Sequence, residues 1–287
     1  MNAAATDAAT ARGLVQADWA LLDTTRAFTG GLLHIDSGKL QQESRKAVGA
    51  HAFGTLSHHC GAHVNMYGGR ISAEHAFGTH HTLGIALGST HASVGGTAVR
   101  RLRQDASHLA LYGNSSISSK FSADWAAAFG TAEQHGNTGA ARAEWEQNSG
   151  ELAARVNYTE TLSDRTALRT YAGLAYDATG ADRTNGYKTG SVQALRGELG
   201  MGLTHTAGAV LLFAEAGMVG DMVRHNPTVN CGTYRIQGPN PGRLSFKATV
   251  GGRVEMTEHW SADAAYCLET AADSTQQSMT VGVSRKF

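Results

Sequence analysis

Proline is nearly missing from this chain of 287 residues, at three in all, so extended segments can run without the breaks that a residue lacking a backbone N–H imposes. Cysteine is as scarce. The three, at 60, 231 and 267, are odd in number and show no CxxC spacing, so no disulfide framework is implied. No apolar run approaches the ~20 residues of a membrane-spanning helix. That excludes a helical membrane protein but says nothing against strands, which cross with only ~9–11 alternating residues and leave a mean hydropathy as unremarkable as −0.25. Net charge is also absent, with 24 Lys and Arg against 24 Asp and Glu, which removes the basic field that nucleic acid would need. No GxSxG, HExxH, Walker or dinucleotide fingerprint occurs, so no enzyme activity, catalytic residue, cofactor or metal is expected. Residues 1–10 lack the basic and then apolar order of a secretory signal. An exported form would therefore be the trailing part of a longer precursor.

Glycine is plentiful instead, 35 residues where ~7% of a chain is usual. From about Thr6 to Phe28 the sequence is rich in Ala and Leu and places Ala11, Val15, Trp19 and Leu22 at helical spacing. A helix of some twenty residues is predicted, stopping at Gly30-Gly31. Its polar Gln16, Asp18, Asp23 and Arg26 suit a wet channel better than a dry core. From about Arg45 the period becomes two, and strands are predicted at 45–56, 62–73, 80–91, 107–116, 121–132, 149–160, 166–177, 190–204, 208–220, 243–257, 260–270 and 277–287. An even number of antiparallel strands returns both ends to one side.

The alternation is clearest where Leu244, Phe246, Ala248, Val250, Val254 and Met256 share one face and Lys247, Thr249, Arg253 and Glu255 the other. A soluble sandwich would alternate too. Two features favour a barrel in lipid. Connections after strands four, six, eight and ten are tight, whereas 92–106, 133–148, 178–189 and 221–242 read as long loops, the asymmetry of transmembrane barrels with tight periplasmic turns. Aromatic residues also sort by strand end: Phe121, Tyr158, Trp260 and Phe287 near the tight turns, Phe129, Tyr176 and Phe246 near the other end, as two interfacial girdles require. The polar face is then the lumen, lined by Arg155, Arg169, Arg196, Glu198, Glu215, Lys247, Arg253, Glu255, Asp263 and Glu269, charges that neutralise one another around the helix rather than face lipid unpaired.

The final strand carries Met279, Val281, Val283 and Phe287 on its apolar face and resembles the closing strand of bacterial outer-membrane barrels, which assembly machinery reads. Arg285 departs from that pattern, standing where those proteins have an apolar or aromatic residue. In order and count, a helix followed by about twelve amphipathic strands ending in Phe resembles the translocator (β) domain of an autotransporter along essentially the whole chain. The resemblance implies an all-β transmembrane antiparallel barrel of about 12 strands with an N-terminal α-helix in its pore, residues 1–44 being linker and pore helix and 45–287 the barrel. It implies a monomer in the outer membrane of a Gram-negative bacterium, in contact with outer-membrane lipids, that carries an N-terminal passenger across to the cell surface. Its partners are that passenger and the barrel-assembly machinery, and the assembly signal falls on Met279, Val281, Val283 and Phe287. Some relatives cut the passenger free with an Asn in the helix, but this helix has none, so self-cleavage is not carried over. A porin is the alternative function, and an outer-membrane hydrolase a more distant one.

Two groups of residues invite chemistry. His58, His59, Cys60 and His63 have a spacing that could offer nitrogen and sulfur ligands, but a first hairpin is an exposed loop, and solvated histidines are the expectation. Asp221 and His225, at a strand rim, could be imagined as the Asp/His pair of a barrel enzyme, but no catalytic site is assigned to them.

Overall fold

In lipid, every backbone amide needs a partner within the protein, and this chain meets that demand by pairing its strands until the sheet meets itself. The computed structural model describes residues 3–33, 46–59, 61–96, 99–138, 141–180, 183–184, 187–188, 191–225, 228–231, 234–237 and 243–287. After helix α1 (Ala3–Leu33) come β1 (Lys46–His59), β2 (Ala62–Phe77), β3 (His81–Gly96), β4 (Val99–Ser116), β5 (Phe121–Thr138), β6 (Ala141–Ser163) and β7 (Thr166–Thr179). The chain continues through β8 (Arg183–Thr184), β9 (Tyr187–Lys188), β10 (Gln193–Ala207), β11 (Val210–His225), β12 (Thr228–Cys231), β13 (Tyr234–Gln237), β14 (Leu244–Glu255), β15 (Trp260–Ala271) and β16 (Ser274–Lys286).

Twelve of these close a barrel in the order β1-β16-β15-β14-β11-β10-β7-β6-β5-β4-β3-β2, and β13-β12-β9-β8 form a separate small sheet. Every barrel pairing is antiparallel, and the seam runs without interruption from Ala47 opposite Lys286 to His59 opposite Ser274. Both barrel termini lie at one end, with the connections 78–80, 117–120, 164–165, 208–209 and 256–259.

The apolar parity faces outward: Val250 is 54% exposed, Phe129 54% and Leu199 67%, values that a water-facing surface would not tolerate around a whole barrel. Trp260, Phe121 and Phe287 ring the end with the tight turns, Phe129, Tyr176 and Phe246 the other, all of them outward. Phe121 and Phe129 are eight residues apart on β5, roughly 26 Å along a strand, which a ~40° tilt brings close to the height of an apolar membrane band. Arg285 also points outward, but its guanidinium lies 4.7 Å from the Phe287 ring centroid and 5.5 Å from that of Trp260. Interfacial rings and a long stem let such a cation reach the headgroups.

Two expectations need correction. The segments 92–106 and 133–148 are almost entirely strand: β3 and β4 extend to 96 and from 99, β5 and β6 to 138 and from 141. The alternation there is inverted. Val94, Leu102, Ala106 and Trp145 face inward and are buried, while Arg103, Asp105, Glu133 and Glu146 face outward, because these strands stand above the apolar band and pack their inner face on the helix. Segments 178–189 and 221–242 carry the small sheet, and β11 runs on to His225. The helix does not stop at Gly30-Gly31 but continues to Leu33. A Cβ at Gly31 would lie within 2.9 Å of the Arg70 Cζ, so this glycine admits a guanidinium against the helix instead of ending it.

Val250→Arg is expected to destabilise the barrel by about 2–4 kcal/mol in bilayers, and Thr280→Arg, which points into the lumen, much less; unfolding midpoints by gel mobility would test this, and equal effects would reverse the assignment of faces.

Candidate functional site

The helix spans ~46 Å at 1.5 Å per residue and occupies the lumen. It is not centred there, but lies against the wall formed by β2 to β7. Two stretches of that wall present an apolar or small inner face to the helix. Val15, Trp19 and Leu22 pack with Val64, Met66, Val94, Leu102 and Trp145; further along, Phe28 and Leu32 pack with Phe53, Ala86, Ala110 and Tyr112. The Phe28 ring stacks on His108 with centroids 5.0 Å apart and planes 22° apart.

Between these clusters the contacts are polar. Thr24, Thr25 and Thr29 return their hydroxyls to helix carbonyls three or four residues back, the usual refuge of a hydroxyl in a helix interior. They also reach the wall: Thr25 Oγ1 is 2.7 Å from Ser149 Oγ, the Thr29 hydroxyl lies against the Glu151 carboxyl, which competes with the helix carbonyl for its one hydrogen, and Thr24 accepts from Gln104 at 3.2 Å. A buried run of amides follows, in which Gln134 donates to Gln104 at 3.0 Å and Gln147 donates to Asp18. Near the other end of the helix, Arg70 Nη1 donates to the Phe28 carbonyl at 2.9 Å. A cation close to the last turns of a helix also complements its dipole.

The strongest tie is ionic. Asp177, completely buried, accepts from Arg26 of the helix at 2.9 Å and from Arg196 Nε at 2.6 Å. Arg196 Nη2 reaches Asp177 Oδ1 at 3.1 Å and Glu151 at 3.2 Å. Two guanidiniums and two carboxylates thus close a network that joins α1 to β6, β7 and β10. Charge-assisted bonds of this kind are about twice as strong as neutral ones, and each carboxylate here is offset by a guanidinium instead of being buried alone.

Opposite the helix, the wall is charged and a cavity of about 290 Å³ remains. Arg155 and Lys247 flank Glu198 at 3.2 and 3.5 Å, with the Arg155 guanidinium 4.2 Å over the Tyr171 ring. Arg169 pairs with Glu215, and His51 Nε2 lies 3.3 Å from Asp263. Ser245 donates to Glu269 at 2.6 Å. Nine of the ten charges read from the sequence as lumenal border this cavity. Glu255, the tenth, lies at the mouth with Arg253 at 3.1 Å and Lys286 at 3.3 Å.

Other residues fall elsewhere than the sequence suggested. Arg26 engages Asp177, and Asp18 engages Gln147; neither partner was among the ten. Asp177 and Glu151 share the polar parity of Arg169 and Arg155, so that parity was the available signal. Asp221 pairs with Arg224, whose guanidinium lies 5.3 Å from the Trp19 ring centroid, and not with His225. Met279, Val281, Val283 and Phe287 are exposed on the outer face of β16 and the terminus. Among the described residues, no group of three or more His, Cys, Asp or Glu is arranged to hold a metal. Cys60 lies outside the described residues, as does the side chain of Cys231; Cys267 is a half-buried free thiol on the lumen wall.

Asp177→Ala would leave Arg26 and Arg196 with too few anions and is expected to cost about 3–5 kcal/mol. In a double-mutant cycle Arg26→Met and Asp177→Asn should couple by about 0.5–3 kcal/mol; additive unfolding energies would show that the helix is not held through this pair.

Solved structures share this architecture. The translocator domain of the autotransporter NalP from Neisseria meningitidis superposes with a TM-score of 0.75 at 18% identity, over 98% of this chain and 100% of that one. The transport unit of AIDA-I from Escherichia coli gives 0.70 at 13% identity, over 95% and 99%. The β domain of the Bordetella autotransporter BrkA gives 0.68 at 16%, over 85% and 100%. No match was found among curated proteins. The profile of the autotransporter beta-domain family matches residues 46–266, which span β1 to most of β15, and the closed barrel of twelve strands around one helix accords with it: the chain belongs to the autotransporter beta-domain family.

Proposed function

We propose that this domain anchors in the outer membrane as a monomer and delivers an N-terminal passenger to the cell surface, the helix remaining as a plug. The observation that carries this reading is the direction of the helix. Its Trp19 region packs by Val64 and Trp145 and it contacts β12 and β13, all at the end remote from the barrel termini. Its later turns lie by Arg70 and Tyr112, toward the end where β1 begins. With the tight turns periplasmic, a segment preceding the helix leaves the barrel on the outside.

The mechanism is physical. A closed sheet leaves no unpaired amides for lipid, a polar wall and cavity give an extended chain a hydrated path, and the helix then settles against the opposite wall. Met279, Val281, Val283 and Phe287 serve as the signal for the barrel-assembly machinery, exposed on the strand that forms the seam.

A small folded reporter placed ahead of Ala3, behind a secretory leader, should become accessible to protease added outside intact cells. Deleting Phe287 should lower the yield of heat-modifiable barrel and, in proportion, the displayed reporter. A reporter confined to the periplasm despite a folded barrel would overturn the assignment.

Removing residues 1–33 should leave a folded barrel, because the ladder is complete without them, and raise single-channel conductance several-fold in planar bilayers, since a helix ~10 Å across fills most of a lumen of this size. Equal conductance with and without the helix would favour an open porin.

A further inference from the structure

The first hairpin is not the loop its sequence suggests. β1 continues to His59, so His58 stands directly across from His63 on β2, and both side chains lie exposed on the outer face. The register is set by a connection only two residues long, in which Gly61 takes a φ of +84° that side-chain-bearing residues rarely adopt. The two Nδ1 atoms are 3.1 Å apart, with ring centroids at 4.5 Å and planes tilted by 49°.

Between neutral rings, that separation is one hydrogen bond. It is also the bite of two nitrogens on one ion: metal–nitrogen bonds of about 2.0–2.1 Å at angles between octahedral and tetrahedral place their nitrogens about 2.9–3.4 Å apart. The ladder holds the two residues opposite each other before any ion arrives, so binding has only to set two exposed rings and does not have to order a loop. We propose that His58 and His63 form a bis-imidazole site for a borderline divalent transition-metal ion, Zn²⁺, Ni²⁺ or Cu²⁺, at the rim of the barrel, with water completing the shell. Imidazole nitrogens suit these ions, whereas Ca²⁺ and Mg²⁺ take oxygen ligands. Ligation needs both rings to turn so that their Nδ1 atoms converge on a point off the line between them, and one proton to move. The ring that donates in the hydrogen bond carries its proton on Nε2 instead, so that both Nδ1 lone pairs are free; the count of protons is unchanged and no bond to carbon is altered.

The test uses the full 287-residue chain refolded in detergent. Calorimetric titration with Zn²⁺ and with Ni²⁺ should find one ion per barrel, and His58→Ala and His63→Ala should each weaken it by at least about tenfold, the consequence of losing one of two ligands. His81→Ala and His205→Ala should leave it unchanged, and heat-modifiable mobility would show that every variant is folded. With Cu²⁺, electron paramagnetic resonance should show coupling to two imidazole nitrogens, reduced to one in either variant. The proposal is overturned if neither ion binds, if binding survives the double substitution, or if Cys60→Ser abolishes binding while His63→Ala does not.

Discussion

An unpaired backbone amide in hydrocarbon costs several kcal/mol, and the pairing of β1 with β16 removes the last free edge of the sheet. Everything else follows from that closure. A closed sheet has an inside and an outside, and strand residues alternate between them. The outside must then be apolar over the height of the band, as Val250, Leu199 and Phe129 are. The inside inherits whatever lies at the intervening positions, and here that includes buried charges that need partners.

The lumen meets this need differently on its two walls. On β2 to β6 apolar Val64, Met66, Val94, Leu102 and Trp145 face the helix, which covers them with Val15, Trp19 and Leu22, and polar Arg70, Gln104 and Gln134 stand among them and bond to the helix or to one another. On the cavity side charges pair across strands, Arg155 of β6 and Lys247 of β14 with Glu198 of β10 and Arg169 of β7 with Glu215 of β11, among the small polar residues Ser278, Thr280 and Ser284 of β16. A lumen lined wholly like the first wall would be a dry core, hard for an extended chain to pass. One lined wholly like the second would hold no helix. The boundary falls at β6, β7 and β10, where the Arg26, Asp177, Arg196 and Glu151 network ties one regime to the other.

The barrel was legible because lipid outside and charge inside give opposite parities the strongest contrast, as on β10, β14 and β15. Legibility failed where that contrast disappears. Above the band, β3 to β6 turn polar residues such as Asp105 and Glu133 outward and Val94 and Leu102 inward, so their extensions looked like loops. Parity alone assigns ten charges to the lumen, and nine of them border the cavity. Their partners cannot be read from it, because partnership depends on how the helix is rotated and how far it is inserted. Arg70 beneath Gly31 and the amide run through Gln104, Gln134 and Gln147 are invisible for the same reason.

Insertion depth is the quantity that the ionic network fixes. Without the helix, the wall presents Glu151 and Asp177 against Arg196 alone, an excess of one negative charge. Arg26, which Asp23 of its own helix also approaches at 3.8 Å, supplies the second cation, but only at one depth. A slip of one turn, 5.4 Å, would bring Asp23 or Gly30 to the place of Arg26. Asp23 there would set a third carboxylate beside two others, and Gly30 would leave the excess uncompensated. The apolar contacts discriminate less, since Val15, Trp19 and Leu22 could slide along a wall of Val, Leu and Met with modest loss. Burial therefore holds the helix in the lumen, and the charge at Asp177 decides where along the lumen it stops.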